Sequence, residues 1–452
     1  MKAVLRISTL VALFAAGTSI GLAGSTTAGD AVDGRWDAAL VGQGPPISFR
    51  LDISGTGPAL KATFYDGPRA YENTTSASFK DGKLVLNIEH YLTTITAQLK
   101  DGELVGDTAL QGPGYSYKFG FKAVRHVDAA ANAQKVPAIA GSWVIPLDKL
   151  SSKGEKAFRL IVEQQGADAY ASILRVDGDT GAYSGTFKDG KWVLSHFDGH
   201  RPGVIEITTK ADGTLAVIDH NELLNALRGT EDRGYVEERY GDATPHYTAW
   251  REDVAKAKGL PQPDNYLAHT TARDPREKFA FNFPDTSGKQ VSQNDAYFKD
   301  NVVLAVVTGT WCPNCHDEAQ YLVQLDQQYR DQGLRIVALD FEEAEQQGSL
   351  DRVHAFVKQY GVKYPYLIAG APSDMWEKVP QLVNLNTWPA TVFVGRDGTV
   401  RAVHSGFASP ASGQFNAQLK QEFTGLIEKL LAEKKSVDTR VSQNGLQPFR
   451  AP

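Results

Sequence analysis

The chain is 452 residues long, enough for two or three separately packed cores. Its 47 basic and 53 acidic residues leave a net charge of −6, and the basic residues gather into no stripe, which argues against a nucleic-acid partner. Two cysteines in the whole chain exclude a framework of structural disulfides and a four-thiolate metal site.

Lys2 and Arg6 precede an apolar stretch over 10–23, with small residues at Gly21, Ala23, Thr26 and Ala28. This pattern predicts a secretory signal peptide over 1–28, hence export to a periplasmic or other extracytoplasmic compartment. An uncleaved N-terminal anchor is the competing reading, but Gly17-Thr18-Ser19 interrupts the stretch. No cysteine near the cleavage region invites a lipid anchor, and no later segment is apolar enough to span a bilayer.

From 32 to 227 the texture is β. Short apolar runs alternate with turn dipeptides at Asp81-Gly82, Asp101-Gly102, Asp177-Gly178, Asp189-Gly190 and Asp212-Gly213. The region also repeats itself. Gly34-Arg35-Trp36 matches Gly141-Ser142-Trp143, and Phe49-Arg50-Leu51 matches Phe158-Arg159-Leu160. Phe79-Lys80-Asp81-Gly82-Lys83 returns as Phe187-Lys188-Asp189-Gly190-Lys191. Three matches in one order at a nearly constant offset predict two tandem all-β modules, 32–128 and 137–227, joined at 129–137. Each is expected to be a small barrel or sandwich. The opening Gly-x-Trp resembles the start of lipocalin-like barrels, where the Trp closes the barrel base; a Trp buried in a sandwich core fits equally. Tyr65, Tyr71, Tyr115 and Tyr117 are candidates to line a ligand surface, with ordinary strand packing as the alternative. No nucleophile with its base, metal cluster or phosphate loop occurs in either module, so they are assigned no chemistry. Residues 228–274 read as a linker with a helix around 248–258, where Trp250 is a candidate docking contact.

From 275 the pattern changes. Phe281-Asn282-Phe283-Pro284-Asp285 with Gly288-Lys289 reads as a hairpin, and Val302 to Val307 as a strand. Cys315, Ala319, Leu322, Leu325 and Tyr329 then recur at helical spacing. A strand at 334–341, a helix at 350–360 and a strand at 364–368 follow. Strands at 390–394 and 400–407 meet at Arg396-Asp397-Gly398-Thr399, and a helix at 414–433 closes an α/β domain over 275–434. Residues 435–452 are expected to be a flexible tail.

The two cysteines sit in Trp311-Cys312-Pro313-Asn314-Cys315, between that first strand and that first helix. Thiols two residues apart lie one helical turn from each other, close enough to form a disulfide. The first sits at a helix N-terminus, where the dipole and unpaired N–H groups favour an anionic sulfur. A zinc site lacks further ligands, since His316 beside Cys315 points elsewhere on a helix. A purely structural disulfide closing so short a loop gains little. Redox chemistry is the reading that remains.

Residues 275–434 resemble the thioredoxin-like domain of TlpA-type extracytoplasmic thiol-disulfide oxidoreductases. The resemblance rests on Phe283-Pro284-Asp285 with Gly288-Lys289, on Gly309-Thr310-Trp311-Cys312-Pro313-Asn314-Cys315, and on Tyr360-Gly361-Val362 with Tyr364-Pro365. Trp388-Pro389-Ala390-Thr391-Val392-Phe393-Val394 before Asp397-Gly398 completes it. It implies that Cys312 is the exposed nucleophile, Cys315 the buried resolving thiol, and Glu318 the carboxylate that takes the resolving thiol's proton. At three residues past Cys315, Glu318 also shares its helix face. Pro389 falls where the family has a cis-proline beside the disulfide. Trp311, Pro313, Trp388 and Pro389 would border the substrate groove, with Trp388 and Ala390 departing from the family's usual residues there.

The resemblance further implies a disulfide reductase that acts on exported protein disulfides without a cofactor and is recharged by a membrane electron donor. Pro313-Asn314 does not itself set the direction: thioredoxin-fold pairs span about −270 to about −120 mV, or about 7 kcal/mol for two electrons. Two other readings stay open on the sequence. One is a thiol peroxidase with an antioxidant role, although Thr310 lies two rather than three residues before Cys312. The other is a ligand- or envelope-binding protein whose β modules carry the function.

Overall fold

The structure, a computed structural model, describes residues 31–42, 44–112, 115–127, 136–220 and 246–433. The expected signal peptide, most of the joint at 129–137, the first part of the expected linker and the C-terminal tail lie outside the described residues.

Two large antiparallel sheets form the N-terminal half. In the first, nine strands run from Gly34–Val41 to Tyr115–Arg125, with those two strands side by side. Gly34–Val41 alternates strictly: Trp36, Ala38 and Leu40 are buried and their neighbours face outward. Asp81 and Asp101 take positive φ in their tight Asp-Gly turns, as a twisted two-residue hairpin requires. In the second sheet Ala157–Gln165 pairs with both Gly141–Pro146 and Asp168–Arg175, so eight strands close into a barrel.

That closure corrects the expected linker. His246–Arg251 is a strand between Gly141–Pro146 and Leu215–Asp219. Ala249 is its one buried residue, packed in the barrel core with Trp143 and Leu215. The helix expected from 248 begins only at Glu252–Ala257.

The two sheets share details that the sequence matches anticipate. Trp36 pairs across strands with Leu51, and Trp143 with Leu160. Trp36 Nε1 donates to the Val32 carbonyl and Trp143 Nε1 to the Ile139 carbonyl, each at 2.9 Å. Arg125 lies 4.1 Å over the Trp36 ring, and Arg251 lies 3.9 Å over Trp143. Each sheet thus holds a buried indole satisfied at its N–H and covered by a guanidinium.

The C-terminal part is a five-stranded sheet in the order Tyr366–Gly370, Leu334–Phe341, Val302–Thr308, Ala390–Val394, Val400–Ser405. The first three strands are parallel and the last two antiparallel to their neighbours. Every residue of Val302–Thr308 is buried, because both faces of the sheet are covered. Leu304 and Val306 pack with Leu322, Leu325 and Phe423 on one face, and Val303, Ala305 and Val307 with Phe281, Phe298 and Met375 on the other. The hairpin Asn282–Pro284 with Gln290–Ser292 and the helices Pro313–Tyr329, Asp351–Tyr360 and Gln414–Ala432 lie where the sequence placed them, to within two residues. This is a thioredoxin-like domain.

Candidate redox site

Cys312 is the N-cap of the helix Pro313–Tyr329, and Pro313 occupies its first turn, where a missing N–H costs nothing. The Cys315 N–H donates to the Cys312 carbonyl at 3.0 Å, so the two thiols sit one turn apart as free cysteines. The loop before them is held from below. Thr310 donates its backbone N–H, at 2.9 Å, and its hydroxyl to Glu342. Glu342 in turn pairs with Arg352 at 2.8 Å, and all three are buried. Removing Glu342 or Arg352 would strand a buried charge, so the pair holds the acceptor that fixes the height of the cysteine loop. Trp311 Nε1 donates to the Phe341 carbonyl at 2.9 Å.

The peptide bond Trp388–Pro389 is cis, at the position the resemblance gave for it. The Cys312 thiol donates to the Trp388 carbonyl at 3.4 Å. The Trp388 ring stands edge-on to Trp311 with centroids 5.2 Å apart. Trp311, Pro313 and Trp388 are half-buried, while Pro389 is buried. The four residues expected to border a groove therefore meet around Cys312.

One expectation fails. Cys312, expected to be the exposed thiol, is only 4% exposed, against 2% for Cys315. The turn after Asp168–Arg175, outside the thioredoxin-like domain, packs against Asn314, two residues past Cys312. There the Asp177 carbonyl accepts from Asn314 Nδ2 at 2.9 Å, and Gly178 bridges to Phe407. The Gly406 N–H beside that bridge donates to the Pro389 carbonyl at 2.8 Å.

Behind the thiols lies Glu318, 1% exposed and pushed up to about 8 by burial. Thr391 donates its hydroxyl to Glu318 Oε1 at 2.5 Å, and Oε2 has no partner among the described residues. Burial also holds the Cys315 thiol well above its ordinary value, with the neighbouring Cys312 thiol adding to the rise and the Thr308 hydroxyl opposing it. A buried thiol that resists ionising and a buried carboxyl poised near neutrality share one helix face.

The β-rich region meets the next two residues of the helix. His316 Nε2 lies 2.7 Å from the Thr310 carbonyl and Nδ1 lies 2.9 Å from the Tyr360 hydroxyl. Its ring packs 4.2 Å from Tyr91, and burial, followed by His90, holds it well below the usual histidine value. Asp317 accepts from the Tyr71 hydroxyl at 2.5 Å and pairs with Arg201 at 3.2 Å, while burial pushes it up to about 7. Of the four tyrosines considered as ligand contacts, Tyr71 thus faces the redox helix and Tyr65 donates to Asp52. The side chains of Tyr115 and Tyr117 lie outside those described.

Sequence reasoning missed His316, Asp317, Thr391, Arg201 and the 176–178 turn. Thr391 was within the matched motif but had no signal marking it as Glu318's partner. Arg201 and the turn lie more than a hundred residues from Cys312 in the chain, a separation no local pattern bridges.

The AhpC/TSA family matches residues 276–403. Thiol-disulfide oxidoreductase ResA of Bacillus thuringiensis (strain Al Hakam) is 31% identical over 146 residues, covering 32% of this chain and 72% of that protein. ResA of Halalkalibacterium halodurans is 26% identical over 176 residues, covering 39% of this chain and 89% of its own. The crystal structure of a DsbF homologue from Corynebacterium diphtheriae covers 36% of this chain and 92% of its own, with 20% sequence identity and a TM-score of 0.28. Through its C-terminal third, with Cys312 and Cys315 at the head of a helix, the chain belongs to the thiol-disulfide oxidoreductases typified by ResA.

Proposed function

We propose that the protein is an exported disulfide reductase in which Cys312 attacks, Cys315 resolves and Glu318 manages the resolving proton. The observation that carries this reading is the buried, half-partnered carboxyl of Glu318 on the helix face of a buried thiol. In the first step the Cys312 thiolate attacks a substrate disulfide, forming a Cys312–substrate disulfide and releasing one substrate thiolate. Cys315 passes its proton to Glu318 and attacks Cys312 Sγ. The Cys312–Cys315 disulfide forms, the second substrate thiolate leaves, and the protein has given up two electrons.

The substrates on this reading are disulfides of exported polypeptides, and a membrane electron donor restores the dithiol. The N-terminal stretch supports export. Among the described residues no helix is long and apolar enough to cross a membrane. The shared Trp–Leu registers and Trp–Arg caps support two related β modules, the second extended to Arg251, ahead of the redox domain. The deciding measurement is the reduction potential of the Cys312–Cys315 pair in glutathione or dithiothreitol buffers. A value near about −270 mV supports a reductase, and one near about −120 mV would make the protein an oxidant.

A further inference from the structure

The β-rich region does more than accompany the redox domain. Two of its loops grip the loop that carries Trp388 and Pro389. On one side, Asn386, two residues before Trp388, donates to the Lys153 carbonyl at 3.2 Å, and the Lys153 ammonium donates back to the Asn386 carbonyl. On the other, the 176–178 turn lies backbone-to-backbone against Gly406 and Phe407 and accepts from Asn314. Contact there is so close that neither backbone tolerates a side chain. A Cβ on Gly178 would stand 2.6 Å from the Phe407 carbonyl oxygen and 2.7 Å from the Asn314 amide, and one on Gly406 would overlap the Val176 carbonyl.

These loops are anchored firmly. The Asp179 carboxylate, 4% exposed, accepts from the Ser409 N–H and the Ser412 hydroxyl at 2.6 Å each, and from the Ser409 hydroxyl at 2.9 Å. Leu174, in the barrel strand just before the turn, is buried in the same apolar cluster as Phe407, Ala408 and Phe423. Charge-assisted bonds without solvent and a continuous apolar core make the barrel loop part of the redox domain's own body. With the Asn314 and Gly406 side covered, the half-buried edge beside Cys312 is the one formed by Trp311 and Trp388.

We propose that the second sheet is a substrate filter, with the Val176–Gly178 turn and the Lys153 loop as fixed walls. They admit to Cys312 disulfides on narrow carriers, meaning small molecules and extended, unfolded polypeptide, and exclude disulfides seated on folded surfaces. The filter rests on the exchange reading given above. A folded protein presents its disulfide on a broad surface that cannot pass the walls flanking Cys312. An extended chain or a small disulfide needs only to reach the half-buried edge formed by the two indoles.

The test compares three disulfides against the full-length reduced protein: hydroxyethyl disulfide, an unstructured dicysteine peptide, and a folded protein carrying a surface disulfide of matched potential. The first two should react at comparable rates and the folded disulfide at least about tenfold more slowly, because the fixed walls restrict the orientations in which a broad surface can approach. Asp179→Ala and the milder Ser412→Ala loosen the anchor without touching the cysteines. Each should raise the folded-to-small rate ratio several-fold while leaving the hydroxyethyl disulfide rate unchanged. Ser412→Ala carries the comparison if Asp179→Ala does not fold. A folded disulfide reduced by the native protein as fast as the small one overturns the filter alone. So does a ratio unmoved in a variant that retains the native circular dichroism spectrum. No exchange even with hydroxyethyl disulfide overturns the exchange reading, and the filter with it.

Discussion

Thr391 holds one oxygen of Glu318 at 2.5 Å and leaves the other without a partner among the described residues. A carboxyl fixed at one end is oriented, and one left unsatisfied at the other is expensive to ionise in so dry a place. The expense is what places the group at about 8, where it can take a proton from a thiol and return it near neutral pH. Glu318→Gln keeps the shape and removes the exchangeable proton. Resolution of the mixed disulfide by Cys315 should slow by about 10²-fold, with the initial attack by Cys312 much less affected. Rapid quench of the two steps separately checks this, and an unchanged resolving rate would make Glu318 a bystander.

The hydroxyl itself is also testable. Its hydrogen bond is the one influence that pulls Glu318 down against burial. Thr391→Val removes it, so the carboxyl should move further up and the pH profile of the resolving step should shift to higher pH. Thr391→Ser restores the donor and should restore the profile. A Val variant whose rate falls equally at every pH would show a packing defect instead.

Stability carries the same signature. Between its ordinary value of 4.5 and about 8, Glu318 keeps a proton in the native state that the unfolded chain has lost. The native state then binds more protons, so its stability falls as pH rises through that window and levels off above it. Asp317 and Glu155, each pushed by burial to about 7, tilt the curve the same way over a lower range. Glu318→Gln deletes one contribution, so its urea midpoint should fall less than that of the native protein between about pH 5 and about pH 8.5. Parallel curves would mean that Glu318 ionises normally.

Much of this was readable in the chain because the signals are local. The cysteine pair lies between an unbroken apolar strand and a helix with apolar positions at three and four, and both periods survive into the structure. The matched Trp segments also keep a local likeness, Trp36 pairing with Leu51 and Trp143 with Leu160. What escaped was non-local. His246–Arg251 is short and follows residues rich in charge, and only its place in a closed barrel makes it a strand. The contact of Asn314 with Asp177 spans 137 residues, and the Asp177-Gly178 dipeptide reads as an ordinary bend. Helix periodicity cannot report what another part of the chain lays on top.

The division of labour between the thiols gives the remaining prediction. Cys312 is the sulfur bonded to the Trp388 carbonyl, beside the Trp311 and Trp388 edge, whereas Cys315 is packed inside the helix with its ionisation suppressed. On the proposed reading the first meets the incoming disulfide. Cys315→Ser should therefore react with hydroxyethyl disulfide to give one adduct, on Cys312, that persists because no second thiol attacks it. Cys312→Ser should give little adduct, since Cys315 would have to ionise in an apolar site before it could attack. Intact-mass measurement after acid quench separates the two variants. Adducts of equal yield on both would remove the distinction between attacking and resolving thiol, whereas an adduct on Cys315 alone would reverse it.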